Sequence, residues 1–180
     1  MPGVLVPRAS VRSVGQRIGA TADVPPSFII NLESIDLTKT IAGPEEIRQV
    51  NPHRGAFELL QGITWVDESQ HALIGYRDIR DDEFWVSGHI PGRPLFPGVL
   101  MIELAAQIAS YYTKKHLKWK GFIGFGGVEN CKFRQQVVPG QRLYVLCKKQ
   151  WERHKRIGCT TQGMVNGTLV FEADIVGVEF

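Results

Sequence analysis

Two side chains able to move protons flank one loop and the helix it enters. Residues 87–98 read Ser-Gly-His-Ile-Pro-Gly-Arg-Pro-Leu-Phe-Pro-Gly, a loop stiffened by three prolines, and its glycines let backbone approach a ligand closely. His89 opens it. The segment after Gly98, from Val99 to Tyr112, is apolar almost all round, so as a helix it must be buried on nearly every side. Its strongly polar members are Glu103 and Gln107, four residues apart on one face, with Ser110 further along the same stripe. An ionised carboxylate buried without a partner costs several kcal/mol, so Glu103 is expected to be paired, protonated or functional, with Gln107 as its local partner. Desolvation by the apolar helix predicts a raised pKa for Glu103, which suits a proton donor. Neutral His89, with an ordinary pKa near 6.5, suits a base. Free amides at the positive helix end, on Gly98 and Val99, suit a carbonyl oxygen that gains negative charge. Plainer alternatives stay open: a structural loop histidine, and a glutamate that reaches solvent or pairs with a distant arginine.

The elements that must hold these residues follow from pattern. Pro44 at a first helical position, then Glu45 and Glu46, with Pro52 as a stop, predict a short helix over 44–50. Strand-like runs stand at 63–66 and 71–78, separated by Asp67-Glu68-Ser69, and recur at 121–128, 143–150, 156–165 and 168–177. Asn166-Gly167 between the last two is a strong hairpin signal. Several antiparallel strands around one long apolar helix predict an α+β fold with the sheet wrapped around that helix. Residues 1–27, rich in Pro, Gly and Ser, are expected to be a disordered arm. Arg8, Arg12 and Arg17 ahead of the first acid, Asp23, resemble a transit peptide, but the Pro and Gly content opposes an amphipathic helix. Residues 28–43, with Phe28, Ile30 and Leu32 alternating, are expected to pack on the domain proper, 44–180.

Composition narrows the classes. With 43% hydrophobic and 22% charged residues over 180 positions, one globular domain is expected, and no apolar run is long enough to span a membrane. Cys131, Cys147 and Cys159 match neither a disulfide framework nor a metal clasp, which predicts a reducing, cytoplasmic setting. The five histidines form no H-x-x-x-H pair, and no metal is expected. The Gly121, Gly124, Gly126, Gly127 cluster opens no helix and so predicts close packing rather than nucleotide binding. Net charge is +3, but Lys114 to Arg156 holds 12 bases against two acids, which leaves 9 bases and 16 acids elsewhere. Such asymmetry can steer an acidic partner, or simply be a solvated face. No base-reading motif accompanies it, so nucleic acid is not expected.

Gly88 to Gln107, G-H-I-P-G-R-P-L-F-P-G-V-L-M-I-E-L-A-A-Q, closely resembles the signature of 3-hydroxyacyl-[acyl-carrier-protein] dehydratases of the FabZ type. The resemblance extends back to Asn51-Pro52-His53-Arg54 and on to Lys132-Phe133-Arg134 and Val137-Val138-Pro139-Gly140, covering roughly residues 45 to 178. It departs from the family at Gly55-Ala56-Phe57-Glu58-Leu59-Leu60-Gln61, where the family has Y-P-F-L-L-V-D, at Ile90 and at Gln141. The resemblance implies a hot-dog fold and His89 and Glu103 as the catalytic pair, spaced as in the family (103 − 89 = 14). It also implies a homodimer, with trimers of dimers as a further assembly, in which each site takes its histidine from one subunit and its glutamate from the other. An acyl tunnel along the helix would be lined by Leu95, Phe96 and Phe57, and Lys132 and Arg134 would dock an acyl carrier protein. No dissociable cofactor is implied. Isomerising relatives carry Asp at the helix acid position, so Glu103 favours plain dehydration to a trans-2-enoyl thioester. A hot-dog thioesterase and a non-catalytic acyl-binding subunit remain as alternatives.

Overall fold

The computed structural model describes residues 27–180; apart from Ser27, the arm expected over 1–27 lies outside them. The element order is α1 (Pro44–Arg48), β1 (Gly62–Asp67), β2 (Ala72–Asp78), α2 (Gly98–Lys115), β3 (Ile123–Phe133), β4 (Arg142–Arg153), β5 (Arg156–Val165) and β6 (Thr168–Glu179). One antiparallel sheet has the order β1-β2-β4-β5-β6-β3. It curls around α2, which makes this α+β chain a hot-dog fold.

Local chemistry explains most boundaries. Pro44 begins α1 and the Glu46 carboxylate accepts the Gly43 N–H at 3.0 Å, one half of a capping box, since the N-cap glycine has no side chain to return the bond. The helix ends two residues before the expected 50, because the amides of Val50 and Asn51 both turn back to the Ile47 carbonyl. Between β1 and β2 the Asp67 carboxylate accepts the amides of Ser69 and Gln70, at 2.9 and 3.1 Å. Asn166 (φ 49°) and Gly167 (φ 74°) form the tight β5–β6 turn. The β4–β5 turn uses His154 (φ 48°) and Lys155 (φ 58°).

Strand alternation creates two apolar layers. Leu143, Val145 and Cys147 of β4 face inward with Leu104, Ala105, Ile108 and Tyr112 of α2 in one core. Leu146 of β4 faces outward, with Ala72, Ile74 and Met164, and this second layer packs under Phe28, Ile30, Leu32, Ile35 and Leu37. Gln162 fastens that segment: its carbonyl accepts the Ile29 N–H at 2.8 Å and its amide donates to Ser27 O at 3.3 Å. The core therefore encloses α2 all round from Gln107 to Thr113 and leaves its first turn open, with Val99 71% exposed.

Candidate active site

Glu103 occupies the second turn of α2 and is half-buried. Its Oε1 accepts the Gln107 Nε2–H at 2.8 Å and lies 3.2 Å from His53 Nε2. Gln107 is almost fully enclosed, and its orientation is dictated by neighbours. Its Oε1 accepts the amides of Leu59 and Leu60 at 3.0 and 3.1 Å, so its Nε2 is turned to donate to Phe57 O at 2.8 Å and to Glu103. Every hydrogen-bonding site of this amide is used. Asn51 adds a bond from Nδ2 to the backbone carbonyl of Gln107 at 2.9 Å.

The hydrogen bond from His53 holds the Glu103 carboxyl below its ordinary range; burial acts in the opposite direction, and Gln107 adds to the lowering. This corrects the raised pKa expected from the apolar helix. The helix pattern correctly placed Glu103 among apolar residues, but it carried no sign of a histidine arriving from a segment 50 positions earlier (103 − 53 = 50). No local pattern singled out His53 as a partner of Glu103, although Asn51-Pro52-His53-Arg54 carried part of the family resemblance. Its buried Nδ1 has no hydrogen-bond partner among the described residues.

His89 is exposed in the loop between β2 and α2. Its N–H donates to Trp85 O at 2.7 Å and its Nδ1 lies 2.9 Å from Leu95 O, so Nδ1 carries the proton and Nε2 offers its lone pair. Beside it Ile90 adopts φ 58°, an unfavourable conformation for a β-branched residue. No His89–Glu103 ion pair exists within the chain among the described residues. Gly98 and Val99 begin α2, whose first internal bonds come from Leu100 and Met101 to Pro97 O, so the first amides are free of the helix ladder. The Phe133 ring covers Gly98 so closely that a Cβ there would lie 2.8 Å from it.

A cavity of about 210 Å³ starts at Glu103 and His53 and follows Ala106, Ala109, Ser110 and Thr113 of α2, facing β3 and β6. From Glu103 to Thr113 the helix rises about 15 Å. Of the residues expected to line a tunnel, none reaches this cavity: Phe96 is buried against Trp85, Phe57 stacks on Phe84 at the surface, and Leu95 is half-buried in the loop. A second cavity of about 470 Å³, also bordered by His53 and Gln107, is lined by Gly55, Ala56 and charged side chains such as Arg48, Glu58 and Arg77. Lys132 and Arg134 are exposed on and just after β3, and both lie near Glu172, at 3.9 and 2.5 Å.

Residues 51–174 match the family model of a FabA-like domain. A 3-hydroxyacyl-[acyl-carrier-protein] dehydratase FabZ of Clostridium botulinum (Loch Maree) is 36% identical over 138 residues, which are 74% of this chain and 92% of that protein. The dehydratase of the same name from Agrobacterium fabrum is 35% identical over 144 residues, covering 78% and 93%. Among solved structures, the dehydratase heterocomplex ApeI:P of Xenorhabdus doucetiae superposes with a TM-score of 0.62 at 14% identity, covering 74% of this chain and 90% of that one. Protein PH1136 of Pyrococcus horikoshii superposes at 0.52 and 14%, covering 68% and 84%. The structural likenesses carry the fold alone, whereas the family model and the sequence relatives carry descent: the chain belongs to the FabZ-type 3-hydroxyacyl-[acyl-carrier-protein] dehydratases, with a FabA-like domain.

Proposed function

We propose that the protein dehydrates 3-hydroxyacyl thioesters of acyl carrier protein to trans-2-enoyl thioesters in fatty acid biosynthesis, with His89 as base and Glu103 as acid. The observation that carries this is the Glu103–Gln107–His53 network at the mouth of an apolar cavity, in a chain descended from dehydratases. His89 Nε2 takes the α-proton, and the thioester oxygen gains negative charge beside the first amides of α2. The C3–O bond breaks with its electron pair on oxygen, and the Glu103 proton completes the leaving water. Glu103 is held ionised in the uncovered chain, but a bound acyl thioester adds burial, the influence that favours the protonated form.

The site is completed by a second copy of the chain in this reading. His89 and Glu103 share no hydrogen bond or ion pair within one chain among the described residues, and one edge strand of the sheet, β3, presents Phe125 and Phe133, both more than half exposed. Pairing β3 with a second β3 would cover them and bring one subunit's loop to the other's helix; trimers of such dimers are the further assembly. The acyl chain would occupy the cavity along Ala106, Ala109 and Ser110. Lys132 and Arg134, beside Phe133, would meet the acidic carrier. A cytoplasmic setting accords with three free cysteines.

Purified protein given a 3-hydroxyacyl-carrier thioester tests this. The expected result is an enoyl thioester and no free thiol. Release of free thiol would instead identify a thioesterase, and binding without turnover a non-catalytic acyl-binding subunit.

A further inference from the structure

One buried ion pair lies outside the proton-transfer network and touches the supports of both its halves. Arg77 of β2 and Glu83 of the following loop have side chains 7% and 5% exposed. Arg77 Nη2 donates to Glu83 Oε2, and its Nη1 donates to Leu59 O and Glu58 O at 3.1 and 3.2 Å. Leu59 is one of the two residues, with Leu60, whose N–H groups fix Gln107 Oε1 and so turn its Nε2 toward Glu103. On the other side, Glu83 Oε2 accepts Trp85 Nε1–H at 2.9 Å and Oε1 accepts the Arg80 amide at 2.9 Å. Trp85 O receives the His89 N–H, and the Trp85 ring meets Phe96 edge-on at 5.6 Å, with the Arg77 guanidinium 5.8 Å from the same Phe96 ring. His89 is thus suspended between Trp85, whose indole Glu83 holds, and Leu95, whose chain neighbour Phe96 packs against Trp85 and the Arg77 guanidinium.

We propose that the Arg77–Glu83 pair is a positioning element for both catalytic residues of its chain, holding Glu103 through Leu59 and Gln107 and holding His89 through Trp85. Stability alone does not call for it. A buried ion pair replaced by apolar residues of similar volume is often neutral or more stable, because two charges no longer have to be desolvated. What an apolar pair cannot reproduce is a rigid fork that fixes two backbone segments at once. Misplacement by about 1 Å at a reacting group can cost on the order of a hundredfold in rate, so this anchoring bears directly on turnover. Combined with the shared-site reading above, on which this consequence rests, each pair supports the glutamate of one active site and the histidine of the other.

The test uses the full chain carrying Arg77→Met together with Glu83→Leu, which removes both charges and keeps the bulk. The variant leaves Leu59 O, Glu58 O and Trp85 Nε1 without these partners, so the unfolding midpoint should fall; on protein still fully folded at the assay temperature, kcat should fall about tenfold or more with KM little changed. Differently tagged mixed dimers then read each half separately. Paired with a His89→Ala chain, the double variant supplies the histidine of the only complete site; paired with Glu103→Ala, it supplies the glutamate. Both mixed dimers should lose about tenfold or more against the same pairings made with wild type. Loss in one pairing alone, or in neither, overturns the proposal. Should the double variant fail to fold, Arg77→Lys serves: one ammonium keeps the charge beside Glu83 but lacks the fork to Leu59. It should then lose activity only in the pairing that reports Glu103, and wild-type activity in both pairings would overturn the proposal. A mixed dimer of His89→Ala with Glu103→Ala, in the same assay, tests the shared site independently.

Discussion

At the scale of single residues, the site is organised by what surrounds a carboxylate. Gln107 spends all its hydrogen bonds on Leu59, Leu60, Phe57 and Glu103, so Gln107→Leu strands two buried amides and a carbonyl. At about 1–3 kcal/mol for each buried group left unpaired, the loss should be on the order of 3 kcal/mol, read from the denaturant midpoint. Because Glu103 loses the Gln107 bond that orients it, kcat should fall as well. The His53 bond makes a separate prediction about pH. A carboxyl whose folded pKa is depressed stabilises the fold above its unfolded value, and that contribution disappears as pH falls through the folded value. Wild type should therefore exceed Glu103→Gln in stability most at neutral pH, and the gap should close below the ordinary carboxylate range near 4.5. Placing His53→Phe in the wild-type background should remove much of the gap; an unchanged pH profile would deny His53 its role. Glu103 and Gln107 were legible in the sequence because an i,i+4 polar pair stands out on an apolar helix. His53, Arg77 and Glu83 were not, since each acquires its meaning from a long-range contact that no local period encodes.

At the scale of elements, β4 and the segment before α1 depend on each other. A strand apolar on both faces needs cover on both, and residues 28–37 supply the outer layer that α2 cannot reach. Gln162→Ala removes the two bonds that fasten Ile29 and Ser27 but leaves the apolar contacts. The expected outcome is a loss of about 1–2 kcal/mol and faster amide exchange confined to the first described residues, with turnover unchanged. Global acceleration of exchange would show the segment to be part of the central folding unit. The β5–β6 turn was legible from Asn166-Gly167, whereas the His154-Lys155 turn was not, since two ordinary residues with positive φ give no local signal. β3 runs to Phe133 rather than 128 because register shifts between Phe125 and Gly127 and between Glu129 and Lys132 break the alternation by which a strand is recognised.

At the scale of the whole molecule, the fold divides its labour between a covered outer face, a core around α2, and a free β3 edge carrying exposed aromatics and neighbouring bases. Charge asymmetry predicts that a carrier-linked substrate loses kcat/KM in salt faster than a small thioester analogue, because steering of an acidic partner is screened over about 10 Å at 0.1 M. Substituting Lys132 and Arg134 by Ala should narrow that difference, and equal salt sensitivity in wild type would exclude docking by charge. The pairing of subunits bears on everything above, since the proposed reaction needs a histidine and a glutamate that one chain keeps apart. The most direct test is to refold His89→Ala and Glu103→Ala chains together. Each alone should be folded and nearly inactive. Random pairing makes about half of the dimers mixed, each with one intact site of two, so activity should return to roughly a quarter of wild type. Demonstrably exchanged, well-folded mixed dimers that remain inactive would contradict a catalytic site shared between subunits.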